Sequence, residues 1–177
     1  MTQLATLDAH GVLIEPLTLQ IQRLLPGPID RVWAYLTQSD LRRQWLASGA
    51  MELAVDAPFE LTWRNSDLSD PPGERPEGFS ESHSLESRIL AVDPGRELVF
   101  TWNKGEVSFA LEPAGDKVLL TVTHRRLPDH AQLLNVSAGW HAHMDVLVAR
   151  VEGRTPTTPF WDSWSRLKAE YEKRLAV

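Results

Sequence analysis

The chain has 177 residues, 42% of them hydrophobic and 24% charged, proportions that suit one packed globular domain. Its 18 Lys and Arg against 24 Asp and Glu give a formal net charge of −6, and without a basic cluster it lacks the electrostatic footprint of a nucleic-acid binder. The absence of cysteine excludes disulfides, thiolate nucleophiles, iron–sulfur clusters and cysteine zinc sites together.

Residues 1–16 show no clear period and read as a flexible N-terminal arm. They hold no basic region ahead of an apolar stretch, and no apolar run in the chain approaches the roughly 20 residues of a membrane span. The cytoplasm is the expected compartment, without membrane insertion. Leu17, Leu19, Ile21 and Arg23 alternate with polar neighbours as a half-buried strand, which Pro26-Gly27-Pro28 breaks. Ile29, Val32, Trp33 and Leu36 recur at helical spacing, with Asp30 in the first turn. Ser39 is the expected cap of a second short helix whose face of Leu41, Trp45 and Leu46 opposes Arg42 and Arg43.

A strand-rich middle follows. Met51, Leu53 and Val55 alternate, Asp56-Ala57-Pro58 turns, and Phe59, Leu61 and Trp63 alternate again, which predicts a hairpin. Asn65 to Gly78, rich in proline and charge, reads as a long polar loop. Leu85 to Val92 predicts another strand. Leu98, Phe100 and Trp102 share one strand face and lead to a tight turn at Asn103-Lys104-Gly105. Val107, Phe109 and Leu111 continue the pattern, and Val118, Leu120, Val122 and His124 share the face of the last strand. About six strands are expected in this stretch.

Asp129 is a good cap for a long helix with the stripe Leu133, Val136, Trp140, Met144, Leu147 and Val151, ended by Gly153. After a proline-flanked connector, Phe160, Trp164, Leu167 and Tyr171 mark a final helix. The expected organisation is an arm over 1–16, a domain over 17–153, and a connector with an appended helix over 154–177. The order predicts an α+β fold: a curved antiparallel β-sheet wrapped around the long C-terminal helix, with two short helices after the first strand.

Several stretches resemble one known family. Val32-Trp33 with Leu36-Thr37 and Leu41 through Trp45, Asp93-Pro94 with Arg96-Glu97-Leu98 and Thr101-Trp102, Thr121 to His124 with Leu127, and Gly139-Trp140 with Met144-Asp145 and Leu147 are similar to motifs of the bacterial homologues of the activator of heat-shock protein 90 ATPase. That family lies in the START-like (SRPBCC, polyketide cyclase-like) superfamily. The resemblance implies a helix-grip fold with a pocket between sheet and long helix. It also implies a function among small-molecule binders of lipids, sterols, hormones or polyketides, a minority of which catalyse cyclisation or hydrolysis. The eukaryotic co-chaperone carries a further N-terminal domain for which this length leaves no room, so a co-chaperone-like interaction role ranks behind the others.

The chain has seven tryptophans, and two readings of its aromatics stay open: they line an apolar chamber or they fill it. In the first, the pocket residues are Trp45, Phe59, Leu61, Trp63, Phe100, Trp102, Phe109, Leu120, His124, Trp140, His143, Met144 and Leu147, with Trp102 and Trp140 facing each other across the ligand space. His124 is a weak catalytic candidate as acid or base, with Asp145 as its acid partner. His141 and His143, two apart on a helix, diverge by about 200° and cannot chelate one metal. No cofactor or metal is expected. The expected partner is a small apolar molecule. The stripe on the final helix is expected to dock on its own domain and leave a monomer, with a homodimer as the alternative.

Overall fold

The alternating runs pair so that their apolar sides fall on one face. Ile21 stands opposite Val122, Val122 opposite Phe109, Phe109 opposite Leu98, Phe100 opposite Ile89, and Leu61 opposite Leu85. All are buried, and because a one-residue slip would turn each row to solvent, burial fixes the register. The structure, a computed structural model, describes residues 8–176. Its strands are β1 (Val12–Glu15), β2 (Thr18–Pro26), β3 (Pro58–Trp63), β4 (His83–Asp93), β5 (Glu97–Trp102), β6 (Gly105–Ala114) and β7 (Lys117–Arg125). They form one antiparallel sheet in the order β1-β2-β7-β6-β5-β4-β3. Helices α1 (Ile29–Thr37) and α2 (Ser39–Arg42) separate β2 from β3, and α3 (His130–Val151) and α4 (Phe160–Arg174) follow the sheet.

Helix α3 covers the apolar face. The Asp129 side chain accepts from the Gln132 amide at 2.8 Å, which satisfies one of the free N–H groups of the first turn. Leu133, Trp140, Met144, Leu147 and Val151 are buried beneath it. This is the expected helix-grip arrangement. Among the described residues no helix is long and apolar enough to cross a membrane.

Helix α4 packs back on α3 and buries Phe160, Trp161, Trp164, Leu167 and Tyr171. Its start is tied to the polar loop. The Phe160 amide donates to Ser69 Oγ at 2.8 Å, and the Trp161 amide donates to the Pro72 carbonyl at 3.0 Å. At its far end, the Tyr171 hydroxyl accepts from the Gly11 amide at 2.7 Å and sits 2.9 Å from His141 Nδ1.

Four expectations are corrected. Residues 12–15, placed in the flexible arm, form the edge strand β1, and His10 Nε2 meets Glu170 at 2.9 Å; the rest of that expectation, for residues 1–7, lies outside the described residues. Met51 to Val55 forms no strand. Strand β3 pairs with β4 instead, and its other edge makes only an isolated bridge from Thr62 to Ser48. Five strands, not six, therefore follow the short helices. Helix α2 is a single turn, and Arg42 is buried, not solvated: its guanidinium donates to the carbonyls of Leu36 (3.3 Å), Thr37 (3.1 Å), Ala47 (3.1 Å) and Gly49. Ser39 does not cap that helix. Its Oγ accepts from the Gly49 amide at 2.9 Å.

Candidate functional site

The apolar face between sheet and α3 is solid over most of its length. Phe59 packs on Phe100 (ring centroids 5.6 Å apart), Phe100 on Phe109 (5.5 Å) and Phe109 on Trp140 (5.9 Å). Trp45 is buried near Phe109 and donates its indole N–H to the Tyr35 carbonyl at 2.8 Å. Leu61, Leu120, Met144 and Leu147 are each at most 1% exposed. Trp45, Leu61, Phe100, Phe109, Leu120, Met144 and Leu147, expected along a ligand pocket, thus pack in the core, and Phe59 borders a separate opening with Pro58, Arg88 and Thr101.

An open space of about 700 Å³ borders this core, within the range of small-molecule sites. Strand ends supply Trp63, His83 and Trp102. Helix α3 supplies Asn135, Val136, Gly139, Trp140 and His143, and α4 supplies Trp161, Trp164 and Lys168. The polar loop supplies Asn65 and the 77–81 segment, where Phe79 meets Trp164 at 4.9 Å and Trp161 at 5.4 Å. Of the expected pocket residues, Trp63, Trp102, Trp140 and His143 line this space.

Trp102 and Trp140 do not face each other across a gap. Their ring centroids are 5.7 Å apart, and Trp63 stands 5.2 Å from Trp102. Both are wall and packing at once. Gly139 lies in the same wall, and a Cβ there would meet nothing within 4 Å, so the space before it is open.

His124 is buried beside this wall, not in it. Its Nδ1 accepts the Trp140 indole N–H at 3.0 Å, and burial pushes its pKa down to about 3. Asp145 turns elsewhere, to Arg23 at 3.1 Å and to His141 Nε2 at 3.6 Å. The candidate acid–base pair of His124 and Asp145 is therefore not assembled, because positions 140 and 145 project from α3 in different directions. His143 Nδ1 lies 2.8 Å from the Trp45 carbonyl and its ring packs on Phe160; burial pushes its pKa down to about 4. Among the described residues no three metal-ligating side chains gather.

Phe79, Asn65, Asn135, Gly139, Trp161, Trp164 and Lys168 were not in the sequence-derived pocket. Two of them carried a signal: a glycine inside a long helical stripe, and a lone aromatic in a polar loop. Trp161 falls off the stripe of Phe160, Trp164, Leu167 and Tyr171, so periodicity alone passes over it.

Comparison with known proteins adds the following. The family model described as Activator of Hsp90 ATPase homolog 1-like protein matches residues 26–152. A solution NMR structure of a Bordetella parapertussis protein is 35% identical, with a TM-score of 0.78 over 98% of this chain and 95% of that one. The crystal structure of CalU16 from Micromonospora echinospora is 19% identical, with a TM-score of 0.65 over 90% of this chain and 88% of that one. DynU16, from the dynemicin biosynthetic locus, is 17% identical, with a TM-score of 0.63 over 81% of this chain and 50% of that one. The last two share the fold. No curated protein matches the chain.

Proposed function

The chain belongs to the Activator of Hsp90 ATPase homolog 1-like family, and from that premise we propose that it binds a small, largely apolar molecule in the space between strand ends, α3 and α4. The observation that carries this reading is the wall itself. Trp63, Trp102, Trp140, Trp161 and Trp164 all border one space of about 700 Å³. Trp63, Trp140, Trp161 and Trp164 are also largely buried and packed on their neighbours, so each turns only part of its ring to that space. Indole offers a large apolar surface with few rotamers to freeze, which favours binding of flat apolar partners.

The reading is non-catalytic. His124 is committed to Trp140 and Asp145 to Arg23, so neither is free to act on a ligand in the cavity.

Titration with N-phenyl-1-naphthylamine, a neutral apolar fluorophore, tests the proposal. Saturable one-site binding is expected, with loss of binding in Gly139→Phe, whose ring would occupy the space. Native mass spectrometry of the freshly purified chain is the companion measurement. Absence of both saturable probe binding and any co-purified small molecule overturns the proposal.

A further inference from the structure

The polar side chains around the space narrow the class of ligand, an inference that rests on the binding reading above. Asn65, Asn135 and Lys168 all border the space and are half-buried. The side-chain oxygens of Asn65 and Asn135 are buried, so each amide leaves its other end, the Nδ2 group, on the accessible side of the lining. Neither Nδ2 has a hydrogen-bond partner among the described residues. Such a group donates and cannot accept.

Lys168 adds a third donor. Its Nζ stands 5.6 Å from the centre of the Trp164 ring, a partner that attracts the charge and takes no N–H···O bond, and it forms no ion pair among the described residues. The indole walls contribute no acceptor, because indole carries only a donor; those of Trp140 and Trp161 already serve His124 Nδ1 at 3.0 Å and Ser66 Oγ at 3.1 Å. His143, whose Nδ1 meets the Trp45 carbonyl, is no part of this set. Glu77 and Glu81 border the same space but are exposed, and Glu81 pairs with Arg64 at 3.7 Å, so water and a counter-charge already answer them.

We propose that the space selects an aromatic molecule bearing carbonyl or carboxylate oxygens, to which Asn65 Nδ2, Asn135 Nδ2 and Lys168 Nζ donate while the indoles hold the ring. In the empty chain water meets these donors. A ligand of the same shape without an oxygen displaces that water and strands them, so selectivity here takes the form of a penalty against the wrong ligand.

Equilibrium dialysis of the full chain at neutral pH against three naphthalenes of similar shape tests this. 2-Acetonaphthone and 2-naphthoate should each bind about five- to tenfold tighter than 2-isopropenylnaphthalene, in which a CH2 group replaces the carbonyl oxygen. In the double variant Asn65→Leu/Asn135→Leu, the preference for the ketone over the hydrocarbon should fall toward parity while the hydrocarbon binds as before. In Lys168→Met, 2-naphthoate should lose more affinity than 2-acetonaphthone. Should the double variant fail to fold, the two single substitutions carry the comparison. Equal binding of ketone and hydrocarbon, or a preference undiminished by the asparagine substitutions, overturns the oxygen-acceptor proposal and leaves the binding reading intact. Failure of all three to bind overturns both.

Discussion

Trp140 donates its indole N–H to Nδ1 of His124 across 3.0 Å, inside the core where neither group reaches solvent. The bond fixes two things together. It puts the His124 proton on Nε2, and it turns the Trp140 ring so that it borders the cavity while touching Trp102 and Phe109. His124→Leu should therefore cost about 1–3 kcal/mol by leaving the indole N–H unmet, beyond any loss of packing. His124→Gln, which restores an acceptor, should recover part of it, as urea unfolding would show.

Because Trp140 is packed on its neighbours, Trp140→Ala should lower stability by about 3–5 kcal/mol. A chain in which this ring merely bordered empty space would lose far less. Denaturant midpoints at unchanged m-value are the measurement.

Buried neutral histidines make stability depend on pH in a defined direction. The unfolded chain takes up protons on histidine as pH falls through about 6.5, whereas burial holds folded His124 to about 3 and His143 to about 4. Between these values the unfolded state binds more protons, so stability rises with pH. The contribution is fully present above about 6.5 and is lost as pH falls toward 4, at up to about 1.4 kcal/mol per pH unit for each histidine. Urea midpoints measured across this window should show the slope, and His124→Gln should make it shallower.

Gly139 separates the cavity from the fold. An alanine there meets no atom within 4 Å and gains helix propensity of up to about 1 kcal/mol, so Gly139→Ala should melt slightly higher than the parent. Bulkier residues at the same position should leave the melting temperature near the parent's while reducing apolar-probe binding in proportion to their volume. Thermal melts run beside probe titrations distinguish these effects.

Arg42 supports the segment between α2 and β3. Replacing it with Met leaves four carbonyls without their donor, and a loss of at least about 3 kcal/mol is expected. Arg42→Lys should rescue only partly, since an ammonium cannot reproduce the planar fork; chemical denaturation of the two variants is the check.

The strand alternations over 19–25, 59–63, 98–102 and 118–124 were legible because one face of each is buried in the core, which imposes a period of two on the sequence. Met51, Leu53 and Val55 show the same period without being a strand. Strand β3 pairs with β4, and its outer edge is met only by the Ser48–Thr62 bridge, not by 51–55. Arg42 looked solvent-facing because helical spacing says nothing of a helix that stops after one turn and wraps its own chain around a side chain. Half of the cavity was hidden for a different reason. Trp161 and Phe79 are brought together where the start of α4 donates to the Pro72 carbonyl and to Ser69 Oγ, contacts between residues some ninety positions apart that leave no periodic trace.

The family match ends at residue 152, yet Trp161, Trp164 and Lys168 form one wall of the cavity. Helix α4 lies beyond the matched segment and closes one side of the space. On the proposed binding reading, a different closing helix on the same sheet and α3 would reshape the chamber without disturbing the register that holds the sheet together.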